Sequence, residues 1–397
     1  MAGPGGTVGA VSLVPAMTWF VRRADPSRTC APAPAEVRDF HAGLPGYVPT
    51  PLTELPSLAA ELAVGRVFVK DESARLGLPA FKALGASWAI SRVLARRASG
   101  PPPVLVTATD GNHGRAVART ARLLGQRAHV FVPGSVHPAA VAAIEAEGAR
   151  ITRVAGTYDE AVRHAADAAA GPGAVLVQDT AWPGYEEIPG WIVEGYSTLF
   201  TEIDAQLSAA SAEPPALVAV PVGVGSLAQA AVTHYRGGGA RTRPGPALLS
   251  VEPETAACVL ASLRQGRPVS VATGTTSMAG LNCGTPSTLA WPLLRDGLDA
   301  AVAVTDDDSA DAVRDLAALG VSSGPCGAAS LAGARAALTG DGGTGRRSAL
   351  GIGPEATVVL LSTEGTAANP VGTEGVEGTA STAGTPSARP PDGPGVL

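Results

Sequence analysis

The chain has 397 residues and a net charge of −6, from 29 Lys and Arg against 35 Asp and Glu. Only 16% of residues are charged and 45% are hydrophobic, against roughly a quarter charged in an average soluble protein. Disorder of the whole chain is excluded, a basic nucleic-acid surface is disfavoured, and no apolar run reaches the roughly 18–20 residues of a membrane span.

The first twenty residues, MAGPGGTVGAVSLVPAMTWF, are apolar but have no basic lead. They read as part of the fold, not as a signal peptide. From there, short apolar runs alternate with longer amphipathic ones. Strands are expected at 67–70, 104–109, 128–133, 150–155 and 174–179, with helices at 113–124, 139–149 and 159–169. A long helix over about 185–207 interrupts the rhythm. Strands at 217–222, 248–253 and 357–363 follow, with helices ending near Leu263 and spanning 306–319 and 327–338. Continuous apolar runs are the mark of parallel strands covered on both faces. An α/β fold results, in two units with a cleft between them, and ligands of such sheets bind at the carboxyl ends of the strands. Residues 340–354 are expected to form a surface loop, and the Gly/Pro/Thr-rich stretch 366–397 to be disordered.

Three constellations carry chemistry. Lys82 sits between Phe81 and Ala83-Leu84-Gly85 at the start of a helix. Desolvation lowers a lysine's pKa and makes its amine a nucleophile, although a surface lysine with an apolar stem has the same local sequence. TATDGNHGR (107–115) is a strand running into a glycine-flanked turn and a helix. Asn112 and the backbone amides there can hold an oxygen, or simply cap the turn. PVGVGSLAQA (221–230) is again strand, glycine loop and helix. It suits a phosphate but is neither G-x-G-x-x-G nor a P-loop.

In this order the three resemble the pyridoxal-phosphate enzymes of fold type II, the tryptophan synthase β-like group. Within that group the chain is similar to the diaminopropionate ammonia-lyases. Lys70–Gly85, Thr107–Arg115, Val177–Tyr196, MAGLNCG (278–284) and LLSTEG (360–365) carry the likeness. The resemblance implies two open twisted α/β domains with pyridoxal 5'-phosphate in the cleft. Residues 1–88 and 186–365 would form the larger domain and 89–185 the smaller. Lys82 would bond the cofactor, and Asn112 would hold its ring hydroxyl. Gly223, Val224, Gly225, Ser226 and Leu227 would cup its phosphate, and Ser362 or Thr363 would face its ring nitrogen. Asp110 and Asp179 would compensate the second ammonium of 2,3-diaminopropionate. Lys82 and Asp110, on opposite faces, would take the α-proton of either stereoisomer. The implied reaction is α,β-elimination to pyruvate and ammonia, in a cytoplasmic homodimer acting on a small amino acid, with no nucleic-acid or membrane partner.

Other residues are read as structural. Six scattered histidines lack a metal-binding pair, and His113 is expected to shape the Asn112 turn. Glu252 ends a strand, where carboxylates are common. Trp182, Tyr185 and Trp191 are expected to pack. Cys258 and Cys283 stand where the lyases can carry a cysteine pair, with free thiols the default in a reducing cytoplasm. The segment 321–330 departs from the relatives, which have an acidic residue before its Ser-Gly. The rival readings are a serine or threonine dehydratase, a β-replacement enzyme of the same fold, and a non-catalytic protein that binds a phosphorylated metabolite.

Overall fold

The computed structural model describes residues 18–25, 29–97, 100–134, 136–238 and 245–368. The reading of residues 1–17 as part of the fold and most of the disordered-tail reading therefore fall outside the described residues. Two sheets organise the chain. The larger is built from β1 (Trp19–Val21), β2 (Leu52–Glu54), β3 (Arg66–Asp71), β8 (Leu217–Pro221), β9 (Ala247–Pro253), β10 (Ala300–Val304) and β11 (Thr357–Ser362). The smaller is built from β4 (Val104–Ala108), β5 (Arg127–Pro133), β6 (Arg150–Val154) and β7 (Ala174–Leu176).

The larger sheet has the order β1-β10-β9-β8-β11-β3-β2. Its interior pairs are parallel, and β1 and β2 close the two edges antiparallel. The smaller sheet, β6-β5-β4-β7, is parallel throughout. Every residue of β8, β9, β10 and β11 is buried. Helices cover both faces of such strands, which is why they read as unbroken apolar runs and why the chain carries so little charge.

The contact that sets the geometry of the cleft is between helices 82–95 and 187–209. Two glycines meet there. A Cβ on Gly85 would lie 2.6 Å from Tyr196 Cε1, and one on Gly195 would lie 2.6 Å from the Leu84 carbonyl oxygen. The rings of Phe81 and Tyr196 pack beside them, 4.8 Å between centroids. Close backbone approach thus fixes the first turn of the helix that begins with Lys82.

Several expectations need correction. Residues 340–354 are not a loop: Gly343–Leu350 is a helix, bracketed by left-handed Gly342 and Gly351. Leu350 and Ile352 are buried, and Arg347 donates to the carbonyls of Leu62 and Ala63 at 2.6 and 2.7 Å. Tertiary burial overrides the glycine-rich composition. The strand expected at 174–179 ends at Leu176. There the side chain of Gln178 replaces the backbone, accepting from Ala108 N and Thr107 Oγ1 at 2.9 and 3.0 Å. The chain leaves the sheet and turns Asp179 toward the cleft. The helix expected at 139–149 stops at Glu145, ahead of Gly148, which sits at φ +85°. Strands β1, β2 and β10 were not anticipated.

Candidate active site

Five strand ends converge on one cavity. Lys82 opens the helix beyond β3, Asp110 and Asn112 follow β4, and Asp179 follows β7. Gly223–Leu227 follow β8, and Thr363 and Glu364 follow β11. All of them line the cavity. This is the carboxyl edge of the sheets, where backbone N–H groups of helix starts point at the ligand.

The cationic centre is Lys82. Its Nζ donates to Asp179 Oδ2 at 2.5 Å. Burial alone would lower the lysine's pKa, but Asp179 outweighs it and holds the ammonium well above its ordinary value. Burial would likewise push Asp179 up, but His113 and Lys82 overcome it and keep this carboxyl at about 2. Asp110 behaves oppositely. Burial first, then the negative charges of Asp179 and Asp159, raise it to about 7. Two carboxyls in one cavity are thus driven to different protonation states, the arrangement expected where one neutralises charge and the other moves a proton.

The turn carrying Asp110 is built by Thr109. Its Oγ1 accepts from the N–H groups of Gly111 and Gly114 at 2.9 and 3.0 Å. His113 Nε2 donates to the Val177 carbonyl at 2.8 Å, tying the turn to the segment that bears Asp179. Asn112 Nδ2 donates to Glu364 Oε2 at 2.5 Å. Glu364 Oε1 accepts the Cys326 N–H at 3.3 Å, so the departing segment 321–330 is joined to this carboxylate.

The geometry fits a phosphorylated ring. Helix 226–236 starts at the cavity wall with no side-chain cap. The first amides of a helix have no internal partner and form an anion site. Gly225 precedes them at φ +101°, and a Cβ there would lie 2.5 Å from Leu294 Cδ1. Only glycine makes this turn. Ser226 Oγ donates to the Asp179 carbonyl at 2.8 Å, so the anion cradle and the lysine's carboxylate partner are one unit.

Of the two hydroxyls considered near a ring nitrogen, Thr363 lines the cavity, whereas Ser362 Oγ donates to Ser323 Oγ at 2.8 Å. Glu252 receives the N–H groups of Val259 and Leu260, both at 2.7 Å, and so caps a helix. Trp182 stacks on Tyr185, and Arg96 lies over Trp191. Cys258 and Cys283 are free thiols, as is Cys326. Tyr158 and Glu364 line the cavity without having been singled out in the sequence, and so do Cys283, read there as half of a possible cysteine pair, and Cys326, in the departing segment 321–330. Glu364 lies within the quoted LLSTEG run and was within reach, whereas nothing local marks Tyr158. Among the described residues, no three His, Cys, Asp or Glu side chains are grouped to hold a metal, and no helix is long and apolar enough to cross a membrane.

A lysine clamped by a carboxylate, facing an uncapped helix start across a two-sheet cleft, defines a class. The pyridoxal-phosphate dependent enzyme family matches residues 44–363, and the fold is type II of that class. Diaminopropionate ammonia-lyase of Salmonella typhimurium is 39% identical over 306 residues, covering 71% of this chain and 75% of that protein. The Escherichia coli K12 protein of the same name is 37% identical over 275 residues, 65% of this chain and 68% of its own. The crystal structure of the Escherichia coli enzyme with an aminoacrylate–PLP azomethine reaction intermediate has a TM-score of 0.78 at 31% identity, covering 88% of this chain and 94% of that one. The chain belongs to the pyridoxal-phosphate dependent enzymes and, within them, to the diaminopropionate ammonia-lyase family.

Proposed function

We propose that the protein eliminates ammonia from 2,3-diaminopropionate. One water enters, and pyruvate and two ammonia leave. The observation that carries this reading is Asp110: a carboxyl in the cavity, close to Asp179 and without a hydrogen-bond partner among the described residues. A substrate with a second ammonium needs an anionic counterpart, and a buried carboxylate supplies it.

When bound, pyridoxal phosphate supplies an electron-poor ring that draws charge from the substrate's Cα. The chain's residues do the rest. The amides that open helix 226–236 hold the phosphate, with Gly223, Val224 and Leu227 shaping the cup. Asn112, oriented by Glu364, would hold the ring oxygen, and Thr363 would hold the ring nitrogen. Asp179 keeps Lys82 in place. Lys82 and Asp110 stand as bases on opposite faces, so that each takes the α-proton from one stereoisomer. Asp110 acts when ionised, so its share of the activity rises with pH through about 7. The leaving nitrogen is already protonated and departs as ammonia.

The same reading makes the protein a cytoplasmic homodimer with no nucleic-acid or membrane partner. It puts the domain boundary near residues 88 and 185. Sedimentation gives the oligomeric state. The activity test follows pyruvate and ammonia from D- and L-2,3-diaminopropionate, serine and threonine. Diaminopropionate, in both forms, is expected to give the highest kcat/KM. A preference for serine or threonine would transfer the reading to a dehydratase of the same fold.

A further inference from the structure

His113 has a polar atom that the fold leaves unused. Its Nε2 faces a carbonyl, which only accepts, so Nε2 carries the hydrogen. Its Nδ1 is buried with no hydrogen-bond partner among the described residues, and the side chain is 5% exposed. Burying an imidazole nitrogen without a partner is costly. Nδ1 lies 3.8 Å from Asp179 Oδ2. That is the oxygen Lys82 holds at 2.5 Å. Two nitrogens therefore face one carboxylate oxygen, and only one of them is bonded to it.

We infer that His113 is the standby cation of Asp179: when Lys82 withdraws its ammonium, Nδ1 takes a proton and pairs with Oδ2 in its place. The inference rests on the proposed reading of Lys82 as a group that gives up its charge in the reaction. Without a replacement, Asp179 would be left as a buried unpaired anion. With one, it stays charged and keeps its position against Ser226 and the phosphate cradle. His113 is a positioning residue in this account, acting through Asp179.

The surrounding charges agree. Burial lowers the His113 pKa, Asp179 raises it and Lys82 lowers it. Removing the lysine's charge therefore favours the imidazolium. The other titratable groups lining the cavity are Asp110, Tyr158, Cys283, Cys326 and Glu364; Glu364 is engaged by Asn112 and the Cys326 N–H, and burial raises the Cys326 thiol well above its ordinary value. Burial keeps the Tyr158 phenol far above its ordinary value and pushes the Cys283 thiol up to about 12, so both are neutral. Asp110 can only add negative charge.

The test is a histidine titration by 15N NMR on the full-length chain freed of cofactor, with His113 assigned through His113→Gln. In the wild type, His113 is expected to be neutral near pH 7, with the proton on Nε2. In Lys82→Met its pKa is expected to rise by about 1–3 units, the effect of an unscreened opposite charge at this range. Adding Asp179→Asn to Lys82→Met is expected to reverse the rise. An unmoved titration in Lys82→Met would overturn the inference. So would a rise that survives Asp179→Asn. If Lys82→Met fails to fold, Lys82→Gln makes the same comparison. No substrate or cofactor is used, so this result is independent of the lyase assay.

Discussion

Among the described residues, a fully buried lysine–carboxylate pair, Lys70–Glu202, can be set beside a part-buried one, Lys82–Asp179. Under the larger sheet, Lys70 Nζ donates to Glu202 at 2.6 Å, to the Thr50 carbonyl at 2.8 Å and to Gln206 at 2.8 Å. Arg75 beside it fills its fork with Glu72, Glu202 and Thr50. Two cations meet two anions, and every ammonium hydrogen has an acceptor. In the cavity, among the described residues, Lys82 has one carboxylate partner, Asp110 has no hydrogen-bond partner, and His113 has a bare nitrogen. Both centres set a lysine against carboxylates. A saturated network specifies structure, whereas an unsaturated one keeps capacity for a substrate and a proton.

The sharpest way to break this contrast is to remove each lysine. Lys82→Ala is expected to lower pyruvate formation by at least about 10⁴-fold, since both a nucleophile and a base are lost. Its unfolding midpoint in urea should stay near the wild type, because the cavity can admit water. Lys70→Met is expected to do the reverse. It strips a fully buried pair and should cost about 3–5 kcal/mol of stability, read from the urea midpoint, while the folded fraction keeps its activity. Equal stability losses in the two variants would erase the distinction.

A smaller effect tests the split between the two carboxyls. Asp110→Asn is expected to reduce kcat/KM by about 10²-fold for the stereoisomer Asp110 serves. Sign matters here: a pKa raised to about 7 leaves the base protonated, and inactive, below that pH. The wild-type profile should therefore climb through about pH 7 and the variant should lose that limb. A limb that persists in Asp110→Asn belongs to another group. The smallest effect falls far from the cavity. Arg347→Ala removes two hydrogen bonds to backbone carbonyls and should cost about 1–2 kcal/mol with kcat unchanged.

Much of this was legible because it is local. Lys82, Asp110, Asn112 and the loop from Gly223 to Leu227 each lie where an apolar run gives way to a helix. A strand end followed by a helix start is written in consecutive residues. Asp179 was reached only through its surrounding stretch. Its strand was drawn too long, because the Gln178 side chain that ends the ladder bonds to β4, some 70 residues earlier. The helix at 343–350 was hidden by its glycines, since burial of Leu350 and Ile352 is a property of what lies beside them.

The sequence by itself determined the alternation of buried strands and helices, the low charge that goes with it, and which residue types stand at the strand ends. The tertiary structure alone decided which of those ends meet. Asn112 and Glu364 are 252 residues apart and bond at 2.5 Å, Lys82 and Asp179 are 97 apart, and the bare nitrogen of His113 faces the oxygen Lys82 holds. Periodicity and turn chemistry act over a few residues. The cavity depends on the order in which strands are laid into two sheets, and that order is fixed by the packing of the whole chain.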